Sequence, residues 1–316
     1  MKSKFIKNIC STPLLFPGAF YPIDLILSKI LGGFIACWHD LSAEIFKSHI
    51  ESLYPSKPIP LKTLIERYKS EKSTKGCFAI TFDDGVGKTV RDISNICEGM
   101  GWPITFYLPT EYISGGILPY QKVEFIEKHL SPDNYTIPNV SKKIQNKIFG
   151  KNQLIKFLNN LLYTEHFEVV EKILEHFVEK ITTKEKNNLL ISEYPKPITW
   201  NEIITLSKKP TISFQSHGVT HSALSSLNEN EIENEMINSK KIIEQHTEQR
   251  VHSFCYPYGD KRSIGTNAPR IASKYFDSAV TLMRGRLKKN DPFYLSRIDF
   301  YSEDSPGFVR LKTILN

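Results

Sequence analysis

The sequence predicts an α/β fold in which parallel strands alternate with helices. Residues 77–82 form a short apolar run, a helical pattern follows over residues 88–100, and another apolar run covers residues 102–108. Strand, helix and strand in this order are typical of a βαβ unit with a parallel sheet. The same alternation resumes at residue 211 and continues to residue 282, through a predicted helix over residues 228–246.

The composition is that of an ordinary globular protein. The chain has 316 residues, of which 40% are hydrophobic and 24% are charged, which is enough material for a sizeable core. A net charge of +7 raises the question of nucleic acid, but the lysines are spread along the chain and accompany no recognition motif. We therefore predict no nucleic-acid partner, and an anionic membrane surface or glycan fits the charge better.

The cysteines and the N-terminus bear on location. Five cysteines without a CxxC spacing indicate neither a disulfide framework nor a cysteine zinc site, and reduced thiols are typical of the cytoplasm. Prolines and charged residues interrupt the apolar N-terminal stretch that follows Lys7. We expect an uncleaved N-terminus and a cytoplasmic protein with peripheral contact at the inner membrane.

The segment 117–197 interrupts the α/β pattern. It is rich in Lys, Asn, Glu and Ile, and Ile155, Leu158 and Leu162 recur at helical spacing. We interpret it as a helical insertion within a single domain spanning residues 1–316, since the loops at barrel strand ends commonly carry such growth. A separate small helical domain is the alternative.

Groups that can bind a metal or move a proton follow four of the apolar runs. In a barrel of parallel strands, the side chains just past the strand ends meet at one rim, where such folds carry their active sites. The groups are His39 after residues 34–38, Asp83 and Asp84 after 77–82, His217 and His221 after 211–214, and Tyr258 after 253–256.

Two of these groups have the composition of a metal site. Adjacent carboxylates such as Asp83 and Asp84 repel each other unless a cation or a proton lies between them, although most such pairs are solvated turns. His217 and His221 are four residues apart, a spacing that lets both reach one metal from a single helical turn but that often occurs by chance. One carboxylate, Asp84, with the two imidazoles makes a facial set with open positions.

The apolar run at residues 253–256 ends in a turn, within the sequence CYPYG at residues 255–259. Pro257 removes one backbone donor and fixes the turn, so the next backbone N–H, that of Tyr258, could point into the pocket. The plain alternative is a strand-ending turn with packed tyrosines.

These motifs resemble the polysaccharide deacetylase family, also called the NodB homology family or carbohydrate esterase family 4. ITFDDG at residues 80–85, the HxxxH spacing, the PYG turn and the strand order carry the resemblance, which covers residues 34–300 apart from the insertion. It implies a distorted (β/α) barrel that removes acyl groups, usually acetyl, from sugars with a divalent metal. It also implies that Asp84, His217 and His221 bind the metal and that Asp83 is the general base. Zinc suits the imidazoles, and cobalt, nickel or iron would accept the same ligands.

The sequence departs from the family pattern at the catalytic acid. The family usually places this histidine late in the chain, but no histidine follows His252. Circularly permuted relatives supply it from an early strand, and CWHD at residues 37–40 resembles that version, so His39 is the predicted acid.

Two further departures concern single positions. Gly218 stands where the family usually has Ser or Thr, and Cys255 stands where many members have Arg. Arg297, in LSRIDF, would take over that arginine's role of holding Asp83 ionised, and the alternative is an ordinary surface arginine.

The resemblance implies a metal-dependent hydrolase that removes an N-acetyl or other N-acyl group from a sugar. The metal and the Tyr258 N–H would stabilise the oxyanion, His39 would protonate the leaving amine, and Tyr256 and Pro257 would contact the substrate. We expect a defined sugar over a long polymer chain, because the insertion would cover the rim and limit what fits there. Because we expect a cytoplasmic protein, we predict a substrate made in the cytoplasm, such as a nucleotide-linked or lipid-linked sugar of surface-glycan or lipopolysaccharide synthesis. The alternatives are a deformylase or other amidohydrolase on a small amide, and a catalytically dead glycan-binding module.

Overall fold

The computed structural model describes residue 26 and residues 30–137, 148–181, 193–287 and 291–316. Most of the N-terminal stretch that we expect to remain uncleaved, and parts of the segment 117–197, therefore lie outside the described residues. The strands are β1 (Phe34–Trp38), β2 (Lys57–Pro58), β3 (Cys77–Phe82), β4 (Ile104–Leu108), β5 (Asn134–Thr136), β6 (Ile148–Gly150), β7 (Ile212–Ser216), β8 (Ser253–Cys255), β9 (Ser278–Arg284) and β10 (Leu295–Asp299).

The helices lie between these strands and after the last of them. They are α1 (Ala43–Ser52), α2 (Leu61–Lys69), α3 (Gly87–Met100), α4 (Thr110–Ile113), α5 (Pro119–His129), α6 (Lys151–Thr164), α7 (Phe167–Ile181), α8 (Trp200–Ser207), α9 (Glu229–Thr247), α10 (Lys261–Ile264), α11 (Ala268–Tyr275) and α12 (Pro306–Leu315). Across the described ranges, no helix is both long enough and apolar enough to cross a bilayer.

Parallel strands close into a barrel. Around it the strands of the described part follow the order β1, β3, β4, β7, β8, β9 and β10, and β2 pairs with the start of β3. Closure comes from β1, which pairs in parallel with both β3 and β10, so that Cys37 lies in register with Thr81 on one side and Asp299 on the other. The predicted (β/α) barrel is confirmed.

Alternation along the strands separates a helix-facing layer from the barrel interior. Successive strand residues point to opposite sides. In β3, Phe78, Ile80 and Phe82 belong to the large apolar cluster that also contains residues of the surrounding helices, whereas Ala79 packs in a second cluster with Ile35. The interior side of β3 therefore presents the small Ala79 and the polar Thr81, and the Thr81 hydroxyl lies 3.4 Å from Arg297 Nη1 below the site.

The segment between β4 and β7 has an apolar cluster of its own. Helices α5, α6 and α7 contribute residues such as Ile126, Leu158 and Phe177 to it. Ile155, Leu158 and Leu162, which the sequence shows at helical spacing, are all buried on α6. That residues 117–197 are an insertion within a single domain stays a prediction.

Phe106 is a stringent test of this core. It is fully buried in β4, and its ring centroid lies 5.9 Å from that of Phe82 and 5.7 Å from that of Phe214 on the neighbouring strands. We expect Phe106→Ala to lower the free energy of unfolding by about 3–5 kcal/mol, because it leaves a cavity at the junction of three strands. Chemical denaturation measures the loss.

The control for this prediction is Met100→Ala. Met100 is 57% exposed at the end of α3, so its truncation should change stability by no more than about 0.5 kcal/mol. Similar losses for the two variants would contradict the assigned packing.

Candidate active site

The predicted site residues converge at the C-terminal end of the barrel. A cavity of about 470 Å³ opens there, within the range of roughly 300–1,000 Å³ that is usual for small-molecule sites. Its wall includes most of the residues singled out from the sequence, together with residues of α5 and α6. The wall residues that were singled out from the sequence are His39, Asp83, Asp84, His217, His221, Tyr256 and Tyr258.

Asp84 and the two histidines present their ligand atoms to one small volume. Asp84 Oδ1 lies 3.7 Å from His217 Nε2 and 3.5 Å from His221 Nε2. Bonds of about 2.1 Å to a tetrahedral ion would separate ligand atoms by about 3.4 Å, which is close to these distances. Among the described residues Asp84 Oδ1 has no hydrogen-bond partner although it is buried, so a cation fits the space it faces.

The protonation of the imidazoles suits ligation. His217 Nδ1–H donates to the carbonyl oxygen of Cys255 at 2.8 Å, which leaves the Nε2 lone pair free and fixes the ring, as is usual for metal-binding histidines. Burial lowers the pKa of His217 although Asp83 and Asp84 oppose it. Burial, with His217 nearby, lowers the pKa of His221 to about 3. Both imidazoles are therefore neutral near pH 7.

The HxxxH segment is a loop, which corrects the expectation of a single helical turn. Gly218 and His221 have positive φ angles of 82° and 60°, which no helix contains. Glu235 Oε2 accepts the backbone N–H of Val219 at 2.7 Å and that of Thr220 at 3.1 Å, and this carboxylate replaces the helical hydrogen bonds. A Cβ on Gly218 would lie 2.8 Å from the same oxygen, which explains why Ser or Thr is absent there.

Asp83 forms a buried, two-pronged ion pair with Arg297. Arg297 Nη1 donates to Oδ1 at 2.8 Å and Nη2 to Oδ2 at 2.7 Å, while Nε donates to the Thr281 carbonyl at 2.9 Å. Arg297 is 1% exposed, so it is not a surface residue. Burial alone would raise the pKa of Asp83, but the guanidinium outweighs burial and holds this pKa well below its usual range. Asp83 is therefore ionised at neutral pH.

Among the described residues, two other groups of side chains are close enough to bind a metal, but their charges disfavour it. Cys37 with His39 and Asp83, and Asp83 with His217 and Cys255, each bring ligand atoms within 4.8 Å of one another. Both groups share Asp83, which Arg297 already neutralises, and a second cation there would face the guanidinium. Burial also raises the pKa of both thiols well above their ordinary value, so they stay protonated. The set with Asp84 is the better metal site.

The remaining predicted residues lie around this centre. His39 Nε2 is 3.7 Å from Asp83 Oδ2, and the His39 side chain is 38% exposed toward the cavity. Tyr258 has a φ of 59°, and its ring centroid lies 4.8 Å from that of His221. Tyr256 contributes to the wall, whereas Pro257 is not among the described residues that line it, and Pro257 Cγ lies 3.8 Å from the position of a Cβ on Gly218.

Several wall residues were not predicted from the sequence. Tyr120, Gln121 and Glu124 come from α5, and Asn159 and Tyr163 come from α6. They belong to helices whose sequences contain no catalytic motif, so the only signal was the expectation that the segment 117–197 covers the rim. Burial, with Glu127 and Asp84 nearby, raises the pKa of Glu124.

A family model supports the resemblance seen in the motifs. Residues 162–275 match the model of the polysaccharide deacetylase family. The resemblance to this deacetylase family is thereby confirmed. The matched range contains His217, His221 and Tyr258, whereas Asp83 and Asp84 precede it.

Solved deacetylase structures share the fold at low sequence identity. The Streptococcus pyogenes deacetylase PplD in complex with acetate has a TM-score of 0.57 and 14% identity, over 90% of this chain and 97% of that one. IcaB from Ammonifex degensii has a TM-score of 0.55 and 12% identity, over 90% of this chain and 97% of that one. The putative polysaccharide deacetylase BA0330 from Bacillus anthracis has a TM-score of 0.55 and 13% identity, over 90% of this chain and 69% of that one. No curated protein sequence matches this chain significantly.

The Asp83–Arg297 pair predicts a large and pH-dependent loss in Arg297→Met. Breaking a buried pair leaves an uncompensated charge, so the free energy of unfolding should fall by about 3–5 kcal/mol at neutral pH. Without Arg297, burial raises the pKa of Asp83 above that of the unfolded chain. Protonation then relieves the penalty, and the loss should shrink toward about pH 5. Chemical denaturation at both pH values measures this.

The control is Arg284→Met at the exposed end of β9. Arg284 Nη2 lies 3.3 Å from Asp299 Oδ1, but its side chain is 44% exposed, so this pair should contribute no more than about 1 kcal/mol. A loss in Arg297→Met that is as small as the control's, or that does not change with pH, would contradict the analysis.

Proposed function

We propose that this protein is a metal-dependent hydrolase that removes an N-acetyl or other N-acyl group from a sugar. One observation carries the proposal: three neutral or anionic ligand atoms face one volume beside an ionised carboxylate, and a histidine faces the same carboxylate from the cavity wall. The deacetylase match adds the substrate class, an acylated carbohydrate.

Asp84, His217 and His221 would hold the ion, with zinc as the expected metal and cobalt, nickel or iron as substitutes. When bound, a divalent ion acts as a Lewis acid on the acyl carbonyl and makes water more acidic. The chain's own residues supply the remaining chemistry.

Asp83 is proposed as the general base. Arg297 holds both of its oxygens, which fixes the carboxylate. Oδ2 also accepts from the thiols of Cys37 and Cys255, whereas Oδ1 accepts only from Arg297 among the described residues, so Oδ1 has a second lone pair with which to accept the proton of an attacking water. The strongly lowered pKa makes Asp83 a weak base, but it keeps the carboxylate ionised over a wide pH range.

His39 is proposed as the general acid, and the Tyr258 backbone N–H as a donor to the oxyanion. Amines leave poorly unless they are protonated, so amide hydrolysis needs an acid on the leaving-group side. His39 lies next to the base and is partly exposed in the cavity, where it can reach a substrate atom. We also propose that Tyr256 contacts the sugar and that Pro257 sets the turn that presents Tyr258.

For the substrate, we propose a nucleotide-linked or lipid-linked N-acyl sugar of surface-glycan synthesis. Helices α5 and α6 form part of the cavity wall, which supports a defined sugar over a long polymer chain. None of the described lining residues is a lysine or an arginine, so we place the phosphates of such a donor outside the cavity. We propose a cytoplasmic location with peripheral contact at the inner membrane, which the free thiols of the described cysteines support.

The acid and base roles predict different responses to the leaving group. We expect Asp83→Asn to lower kcat/KM by about 10²–10⁴-fold on both N-acetylglucosamine oligosaccharides and 4-nitrophenyl acetate. His39→Ala should show a similar loss on the amide but little loss on the aryl ester, because nitrophenolate leaves without a proton. Both variants should retain the metal of the wild type, measured by elemental analysis.

His129→Ala is the matched control, since His129 pairs with Glu193 outside the cavity. Equal losses on both substrates in His39→Ala would reject the acid role. Bound metal without acetate release would favour a deformylase or another amidohydrolase, and a wild type without metal would favour a glycan-binding module.

A further inference from the structure

Tyr120 connects the segment between β4 and β7 to the candidate metal site. Its half-buried side chain packs against both the large apolar cluster of the barrel and the separate cluster of α5, α6 and α7. The ring also meets His221 edge to face, with centroids 5.8 Å apart. This tyrosine is therefore held from several sides in front of two predicted ligands.

The hydroxyl of Tyr120 donates to Oδ2 of Asp84 at 2.8 Å. The two oxygens of this carboxylate thus have separate environments, because Oδ1 faces the two imidazoles.

Tyr120 is the only hydrogen-bond donor to the Asp84 carboxylate among the described residues, and the Asp84 backbone is also unusual. Its φ is 69°, in the left-handed region that non-glycine residues seldom adopt. Asp83 on one side of it is fixed by Arg297, and Gly85 on the other donates its N–H to the Asp83 carbonyl at 2.9 Å. Neither of these bonds fixes the rotation of the Asp84 carboxylate, whereas the bond from Tyr120 does.

The start of α5 places Tyr120 accurately. Pro119 is the first residue of the helix, and the Leu118 N–H donates to Oε1 of the buried Gln121 at 3.1 Å. This closes the first turn, and Tyr120 lies within it. A residue in a closed first turn, packed between two clusters, loses little entropy when it holds a ligand.

We propose that Tyr120 is a positioning residue of the metal centre. By holding Oδ2 it turns Oδ1 of Asp84 toward His217 and His221, so the metal affinity of a barrel site depends on a helix from the segment between β4 and β7. The inference rests on the proposed function, since it takes Asp84 as a metal ligand. Outer partners of metal ligands typically change metal affinity by about 10–100-fold.

The test is the metal affinity of Tyr120→Phe, which keeps the ring and its packing. Metal-free protein is titrated with Zn²⁺ and with Co²⁺ in the presence of a competing chelator. We expect Kd to rise by about 10–100-fold in Tyr120→Phe, and the visible spectrum of the Co²⁺ form to change as Asp84 reorients. The melting temperature of the metal-free protein is measured beside it.

Tyr194→Phe is the matched control. This substitution removes a hydroxyl that has no hydrogen-bond partner among the described residues. The Tyr194 ring packs on Phe125, which belongs to α5, the helix that contains Tyr120. The Kd of Tyr194→Phe should equal that of the wild type.

Three results would overturn the proposal. A lower melting temperature of metal-free Tyr120→Phe with an unchanged Kd would show a structural role only. A tighter Kd would mean that the hydroxyl chiefly withdraws charge from Asp84. A wild type that binds no metal would reject the proposed function as well, which separates that failure from the failure of Tyr120 alone.

Discussion

The ion pair between Asp83 and Arg297 is the constraint around which the site is arranged. Burying the Asp83 carboxylate would be costly without a partner that compensates its charge, and Arg297 contacts both of its oxygens from β10. Because Asp83 is bound to Arg297, the carboxylate of the next residue, Asp84, points in a different direction. The positive φ of Asp84 sends its carboxylate to the two imidazoles, so two adjacent acids occupy different electrostatic environments.

Much of the barrel could be predicted from the sequence because its signals are local. The runs at residues 34–38 and 77–82 are the strands as observed, and others differ by one or two residues at their ends. Convergence of the groups that follow these strands needs only parallel strands in a closed sheet. The contact of Arg297 with Asp83 could not be derived in this way, because 214 residues separate the pair and the sequence around Arg297 would suit a surface strand equally well.

Two other features of the site depend on tertiary contacts that leave no periodic signal. The HxxxH spacing predicted a helical turn, but the loop takes its shape from Glu235 on α9, and the local clue was Gly218. Helical spacing also predicted which face of α6 is buried. The segment 117–197 was expected to cover the rim, but the sequence did not indicate which side chains of α5 and α6 line the cavity. Tyr120 is a single residue of α5 with no motif around it, and its partner Asp84 precedes it by 36 positions.

Barrel closure explains how residues from opposite ends of the chain serve one carboxylate. Because β1 pairs with β10 as well as β3, a side chain after the first strand and one on the last strand are neighbours. A histidine at the end of β1 can therefore approach Asp83, as His39 does, without any histidine late in the chain. By the same logic Arg297 reaches Asp83 from β10 while the Cys255 thiol on β8, 3.1 Å from its Nη2, leaves room for it. In a closed sheet, position around the rim constrains these roles more than position along the chain.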